Sequence, residues 1–230
     1  MDDSTSLRER TRRAVAGEIS AAAFDLFVEQ GFEATTVDQI AAAAGLSRRS
    51  FFRYFATKED VLLQSLDATG RQVASALSER PSHEEPWTAL RHCFDALVQT
   101  VDSDPDRSFV LLRMLLSSPA LRGAHLAKQA AWQELLIAAL LERSGGGAAR
   151  AGATARLRAH SLASAALACL EAAQVAWVED RSGSGGSGGR RSARRLSSLL
   201  DEAMGSVRGL QDAPGGGGVP VRARSAPAGA

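Results

Sequence analysis

Between Arg48 and Lys58 the chain carries four cationic side chains, Arg48, Arg49, Arg53 and Lys58, and no acidic one. Arginine presents a planar fork of donors that pairs with guanine O6 and N7 in a major groove, so Arg48 and Arg49 are suited to reading bases. Tyr54, Lys58 and Thr36 suit phosphate oxygens. The plainer reading of the same residues is a solvated basic face on a small bundle. Other chemistries find no support. His83, His92, His125 and His160 lack metal-ligand spacing and form no triad pattern, and Cys93 and Cys169 stand alone. The glycines from Gly183 to Gly189 follow no strand and precede no GK[ST], so they read as linker and not as a phosphate loop. No nucleophile–base pair or cofactor loop is present, so neither an enzyme nor a cofactor is expected.

The basic segment needs helices to hold it. Residues 8 to 30 place Val15, Ile19, Ala23, Leu26 and Phe27 at helical spacing, up to a stop at Gly31. Thr36 and Gln39 match a capping box ahead of Val37, Ile40, Ala41 and Ala44, and Gly45 ends that second helix. Ser47 is a good N-cap for a third helix, RRSFFRYF. Its Phe51 and Phe55 face inward, leaving Arg48, Arg49, Phe52 and Arg53 outside. Two short helices joined by a tight glycine turn, the second one basic, make a helix-turn-helix arrangement. A fourth helix starts near Thr57, with Glu59 and Asp60 in its first turn, and ends before Pro81 and Pro86. Further helices are expected over Trp87 to Val101, Pro105 to Leu116, about Leu121 to Arg143, Ala149 to Glu179 and Leu196 to Leu210. Ser182 to Gly189 reads as a flexible linker.

The stretch TTVDQIAAAAGLSRRSFFRYFATKEDVL, with AAAFDLFVEQGFEATT before it, resembles the N-terminal region of TetR/AcrR-type regulators over about Ile19 to Leu66. The resemblance implies DNA contacts at Thr36, at the start of the third helix (Ser47, Arg48, Arg49, Ser50), and at Phe52, Arg53, Tyr54 and Lys58. Position 52 is commonly Tyr in that family, and Phe52 lacks the hydroxyl that would bind phosphate. The segments WTALRHCFDAL and LLRMLLSSPALRGAHLAKQAAWQELL are similar to regulators of the mycofactocin-system type, which implies an acyl-CoA-like ligand. The implied protein is a homodimeric repressor on a palindromic operator, released by a small hydrophobic or acyl-CoA-like effector. An all-helical enzyme or carrier with a vestigial helix-turn-helix, and a non-sensing DNA-binding protein, are the alternatives.

The expected fold class is all-α: an N-terminal three-helix bundle with the helix-turn-helix (1–56), a larger helical ligand-binding and dimerisation domain (57–210) and a disordered tail (211–230). Apolar residues at 45% and charged residues at 23% fit a globular chain with a sizeable core. A net charge of +1 does not argue against a local basic surface. Leu66, Phe94, Leu97, Met114, Trp132 and Leu136 are the expected ligand-pocket residues, with Arg113 and His125 as polar partners for an anionic group. The Ala- and Ser-rich helix from Ala149 and the last, Leu-striped helix are expected at a dimer interface. With no run of 18 apolar residues and sparse cysteine, a cytoplasmic location away from membranes is expected.

Overall fold

Ten helices and their short connections make up residues 3–145, 151–183 and 194–212, the part of the chain that the computed structural model describes. They are α1 (Asp3–Gln30), α2 (Val37–Ala43), α3 (Arg48–Phe51), α4 (Lys58–Glu79), α5 (Pro86–Cys93), α6 (Asp95–Ser103), α7 (Pro105–Ser117), α8 (Pro119–Arg143), α9 (Ala153–Gly183) and α10 (Leu196–Asp212). No strand occurs among the described residues.

Local chemistry sets the helix ends near the N-terminus. Thr36 and Gln39 form the expected capping box, and a second box joins Thr57 to Asp60 at the start of α4. After α2 the Leu46 amide donates to Ala41 O and the Gly45 amide to Ala42 O. This double bond pattern needs a left-handed residue, and Gly45, at φ 67°, supplies it. Ile19, Phe27, Ile40, Phe51 and Phe55 fill the bundle core.

Several boundaries differ from expectation. The helix α1 starts at Asp3, well before residue 8. The single helix expected over Trp87 to Val101 is two, because at Phe94 the ladder tightens to Arg91 O before it restarts. No Pro or Gly marks that break; the fully buried Phe94 ring sits at the pivot. The regular part of α3 ends at Phe51 and continues as tight turns to Phe55. The helix α9 runs through Ser182 and Gly183, where a linker was expected, and α10 runs through Gln211 and Asp212 into the expected tail. The remainder of that linker and tail lies outside the described residues.

The helix α4 joins the two halves of the molecule. Its first two turns sit against the N-terminal bundle, where Val61, Leu62 and Leu63 are buried, and its remainder lies along α8 in the most extensive helix pairing among the described residues. Close approach there depends on Gly70. A Cβ at that position would stand 2.3 Å from Nε1 of Trp132, whose indole lies across the helix and donates to Leu66 O at 2.9 Å. At the far end Arg143 donates to the carbonyls of Leu77, Arg80, Pro81 and Glu84, satisfying the open C-terminus of α4. The helix α10 docks on α9, α6 and α5. The Asp102 carboxylate accepts from the amides of Leu196 and Ser197, and Trp87 Nε1 donates to Met204 O.

By length and mean hydropathy α9 could cross a bilayer, a property the count of consecutive apolar residues did not reveal. Half of its most apolar stretch is buried against neighbouring helices, including Ala163, Ala166, Leu170 and Trp177, as in the central helix of a packed domain.

Candidate functional site

The outer face of the helix-turn-helix carries the expected basic group. Phe51 and Phe55 lie inside, with ring centroids 5.7 Å apart, which turns Arg48, Arg49 and Arg53 outward, and all three are exposed. Ser47 caps α3 by accepting from the Ser50 amide at 3.1 Å, and the two hydroxyls stand 3.0 Å apart. Thr36 is exposed but engaged in its capping box. Phe52 is 45% exposed, edge-on to Phe51, with the Arg48 guanidinium 5.7 Å from its ring centroid. Arg48 also pairs with Asp38 at 2.9 Å; both side chains are more than 60% exposed, so water and salt screen the pair strongly. Arg49 and Arg53 have no carboxylate partner among the described residues. Tyr54 is half-buried beside them.

Lys58 departs from the expectation of a phosphate-binding side chain. Its Nζ donates to the carbonyls of Phe32, Glu33 and Thr35 at 2.9, 3.4 and 3.1 Å, and lies 4.5 Å from the Phe32 ring centroid. An ammonium has three donors and no acceptor, so three carbonyls saturate it. The residue clamps the α1–α2 turn to the start of α4 and is not held out towards solvent.

The second site is a cavity of about 360 Å³ enclosed by α4 to α9. Leu66, Leu97 and Trp132 line it as expected, together with Leu111, Leu112, Leu115, Leu167 and Leu170. Phe94, Met114 and Leu136 do not. Phe94 and Leu136 are fully buried in the surrounding core, and Met114 is rotated away from the Ser108, Leu111, Leu112, Leu115 stripe of its helix. Phe109 packs on Trp177, and Arg113, expected as a polar partner for an anionic group, lies over Phe109 outside the cavity.

Polar groups gather along part of the wall: Thr69, Gln72, His125, Lys128, Gln129 and Gln174. Lys128 Nζ meets both oxygens of Asp67 at 2.8 and 2.6 Å. The Nδ1 of His125 is buried without a hydrogen-bond partner, and burial lowers the pKa of its ring against a weaker opposing pull from Glu171. The imidazole is therefore held neutral, with one ring nitrogen unsatisfied. Cys93 also lines the cavity. Its thiol donates to Leu90 O, and burial pushes it up to about 12, so it stays protonated and acts as a packing group. Sequence reasoning missed Gly70, Gln174, Cys93 and the Lys128–Asp67 pair. A glycine inside a strongly helical pattern was the one available cue.

Two polar contacts tie the cavity walls to the bundle. Ser118, at the start of α8, donates to the Glu33 carboxylate at 2.8 Å. The Arg107 guanidinium of α7 stacks 3.9 Å from the Phe24 ring centroid in α1.

Residues 19–64 match the family model for bacterial regulatory proteins of the tetR family. The chain is 32% identical to the HTH-type transcriptional regulator TcmR of Streptomyces glaucescens over 145 residues, which cover 60% of this chain and 64% of that protein, just short of two thirds of its length. It is 31% identical over 137 residues to MftR of Mycobacterium tuberculosis, a protein named for transcriptional regulation of mycofactocin biosynthesis, covering 60% of this chain and 69% of that one. Among solved structures it is similar to Thermus thermophilus FadR, a TetR-family transcriptional repressor in complex with lauroyl-CoA. That likeness has 25% identity and a TM-score of 0.52, over 93% of this chain and all of that one.

Proposed function

The chain belongs to the TetR family of bacterial regulatory proteins, and from that premise we propose that it is a homodimeric, ligand-responsive repressor of transcription. The observation that carries the reading is the pairing of an exposed arginine face at α3, where Arg49 and Arg53 lack a carboxylate partner among the described residues, with a largely apolar cavity, the two joined by one continuous helix, α4. In this reading residues 1–56 read DNA and residues 57–210 sense the effector and dimerise. Arg48 and Arg49, with Ser50, read bases in the major groove. Ser47, Thr36, Arg53 and Tyr54 meet phosphates, and Phe52 offers an apolar edge suited to a thymine methyl group. The dimer buries the exposed small residues of α9, such as Ser161, Ser164, Ala168 and Ala172, against a second copy, and places two α3 helices in successive major grooves.

The effector is a small, mainly apolar molecule of the acyl-CoA-like class. The leucine-rich cavity suits an acyl chain, and the lauroyl-CoA bound to Thermus FadR supports the class. Occupation of the cavity works on α4, α7 and α8, and so on the Ser118–Glu33 and Arg107–Phe24 contacts with α1. An effector that binds better to the form with misplaced reading heads shifts the population towards release, by no more than its differential affinity.

Fluorescence anisotropy of the purified chain on duplexes selected from a randomised pool, with and without lauroyl-CoA, tests the reading. Selective, salt-sensitive binding that lauroyl-CoA reverses is expected. Arg49→Ala should cost about 1 to 3 kcal/mol on the selected duplex and relax its sequence choice. Selective binding that lauroyl-CoA leaves untouched would remove the ligand class and keep the regulator; absence of any selective binding would remove both.

A further inference from the structure

The first helix begins long before the bundle it serves. Residues 7–14 are all exposed, and the first core residue of α1 is Ala16. At 1.5 Å per residue, the segment from Asp3 to Val15 forms an arm about 20 Å long. Apolar burial contributes nothing to residues 7–14, so the outward side chains carry whatever the arm does. Over residues 8–13 these include four arginines and one glutamate.

The arginines are not spread evenly around the helix. Arg8 and Arg12 are four residues apart, as are Leu7 and Thr11, so the two adjacent rows share a face. That face meets Arg53 and Tyr54, just beyond α3, around an open depression of about 410 Å³. Glu9 pairs at 3.4 Å with Arg13, off this face. Arg8, Arg12 and Arg53 are left without a carboxylate partner among the described residues. Three guanidinium groups lining one depression, with no carboxylate partner among the described residues, suit an anionic occupant, and their fork geometry matches phosphate oxygens.

We propose that Arg8 and Arg12 of this arm, with Arg53 and Tyr54, form a cradle for the sugar-phosphate backbone of duplex DNA beside the groove that α3 enters. The proposal rests on the regulator reading above, and adds to it a contact that tightens binding without reading sequence. The cradle borders the reading helix directly, and its charge is complementary to a polyanion whose backbone must pass there once α3 is seated.

The test is the salt dependence of duplex binding by the full chain, measured by anisotropy on a duplex recovered by selection and on a random duplex. Glutamine keeps helix propensity close to that of arginine, so Arg8→Gln with Arg12→Gln should leave the fold intact, as circular dichroism would verify. Each lost phosphate contact lowers the slope of log affinity against log salt by about 0.9, and each subunit of the bound dimer loses two, so the double variant should lose about 3.6 units of slope. Its affinity should fall by the same factor on both duplexes. Arg10→Gln with Arg13→Gln removes equal charge from outside the cradle and should move the slope less than half as far. An unchanged slope in the first double variant, or equal loss in both, would overturn the cradle. Selective binding with an unchanged slope removes the arm contact alone, whereas no selective binding by the unsubstituted chain removes the regulator reading and the cradle with it.

Discussion

The bundle of α1 to α3 and the cavity walls of α4 to α9 use their polar groups in opposite ways. In the bundle the chemistry faces outward: Arg48, Arg49 and Arg53 are exposed, and the hydroxyls of Thr36 and Ser47 are occupied with capping their own helices. Around the cavity the polar groups are few, partly enclosed and locked across helices, as in Trp132 to Leu66 O and Lys128 to Asp67. A surface built the first way can exchange its partners for DNA at little cost to folding. A wall built the second way couples any change in its contents to the packing of the whole domain. Substitutions should therefore separate into those felt in DNA binding and those felt in stability.

The largest effect is expected at Trp132. It is buried, hydrogen-bonded, and seated over Gly70 so closely that no side chain fits between them. Trp132→Ala should cost about 3 to 5 kcal/mol in denaturant unfolding, and abolish the response to lauroyl-CoA while leaving selective DNA binding in place below the unfolding transition. Gly70→Ala drives a Cβ into the indole from the other side and should cost about 1 to 3 kcal/mol, despite the helix propensity gained. Two stable variants would mean that this wall is loose enough to repack, and the contrast between the regions would weaken.

Lys58 tests whether the division follows sequence or packing. It stands among the basic residues of the reading region, yet its ammonium is saturated by three backbone carbonyls. Lys58→Ala should lower stability by about 2 kcal/mol, as for a charged group removed from neutral acceptors, and leave the salt slope of DNA binding near that of the unsubstituted chain. A slope reduced by about two units, one for each subunit of the dimer, at unchanged stability would return Lys58 to the phosphate contacts that its residue type suggests.

The same contrast explains what could be read from residues alone. Helix ends set by a few neighbouring side chains were legible: the Thr36–Gln39 box, the Ser47 cap, the turn at Gly45 and the inward Phe51 and Phe55 all follow from local spacing. The exposed arginines followed in turn, since whatever does not face the core faces outward. The cavity is assembled from six helices far apart in sequence, so which apolar residues reach it depends on helix phase and crossing. One residue of helix rotation separates the lining Leu115 from Met114, which does not line it. The break at Phe94 had no breaker residue to announce it, and the role of Lys58 required knowing that the α1–α2 turn folds over the start of α4.

A third perturbation lies between the two regimes. Glu84 accepts from Nε and Nη2 of Arg80 at 2.6 Å each and lies 3.0 Å from Nδ1 of His92, beside the Arg143 clamp that closes α4. The Arg80 guanidinium, aided by His92 and opposed by desolvation, holds the Glu84 carboxyl down at about 2, against 4.5 for an unperturbed glutamate. A carboxyl with a depressed folded-state pKa stabilises the fold above its unfolded value, and that contribution is lost as pH falls towards the folded value. The melting temperature should thus decline between pH 4.5 and about 2, with Glu84→Gln flattening that part of the profile. An identical acid profile for the two proteins would show that the cluster adds nothing to the clamp.

The smallest effect on folding, and the sharpest test of the outward-facing region, is expected at Asp38. Its exposed pair with Arg48 is worth at most about 1 kcal/mol, and its place in the first turn of α2 adds a few tenths through the helix dipole. Asp38→Asn should leave the unfolding transition nearly unmoved. Its consequence belongs to DNA binding, because the carboxylate both opposes approaching phosphates and holds the Arg48 fork in one orientation. Removing it should raise affinity for a random duplex several-fold while adding less on a selected one, so the ratio between the two narrows. An unchanged ratio would mean that Arg48 finds its base edge without Asp38, and a large loss of stability would mean that this surface is interlocked in the way the cavity wall is.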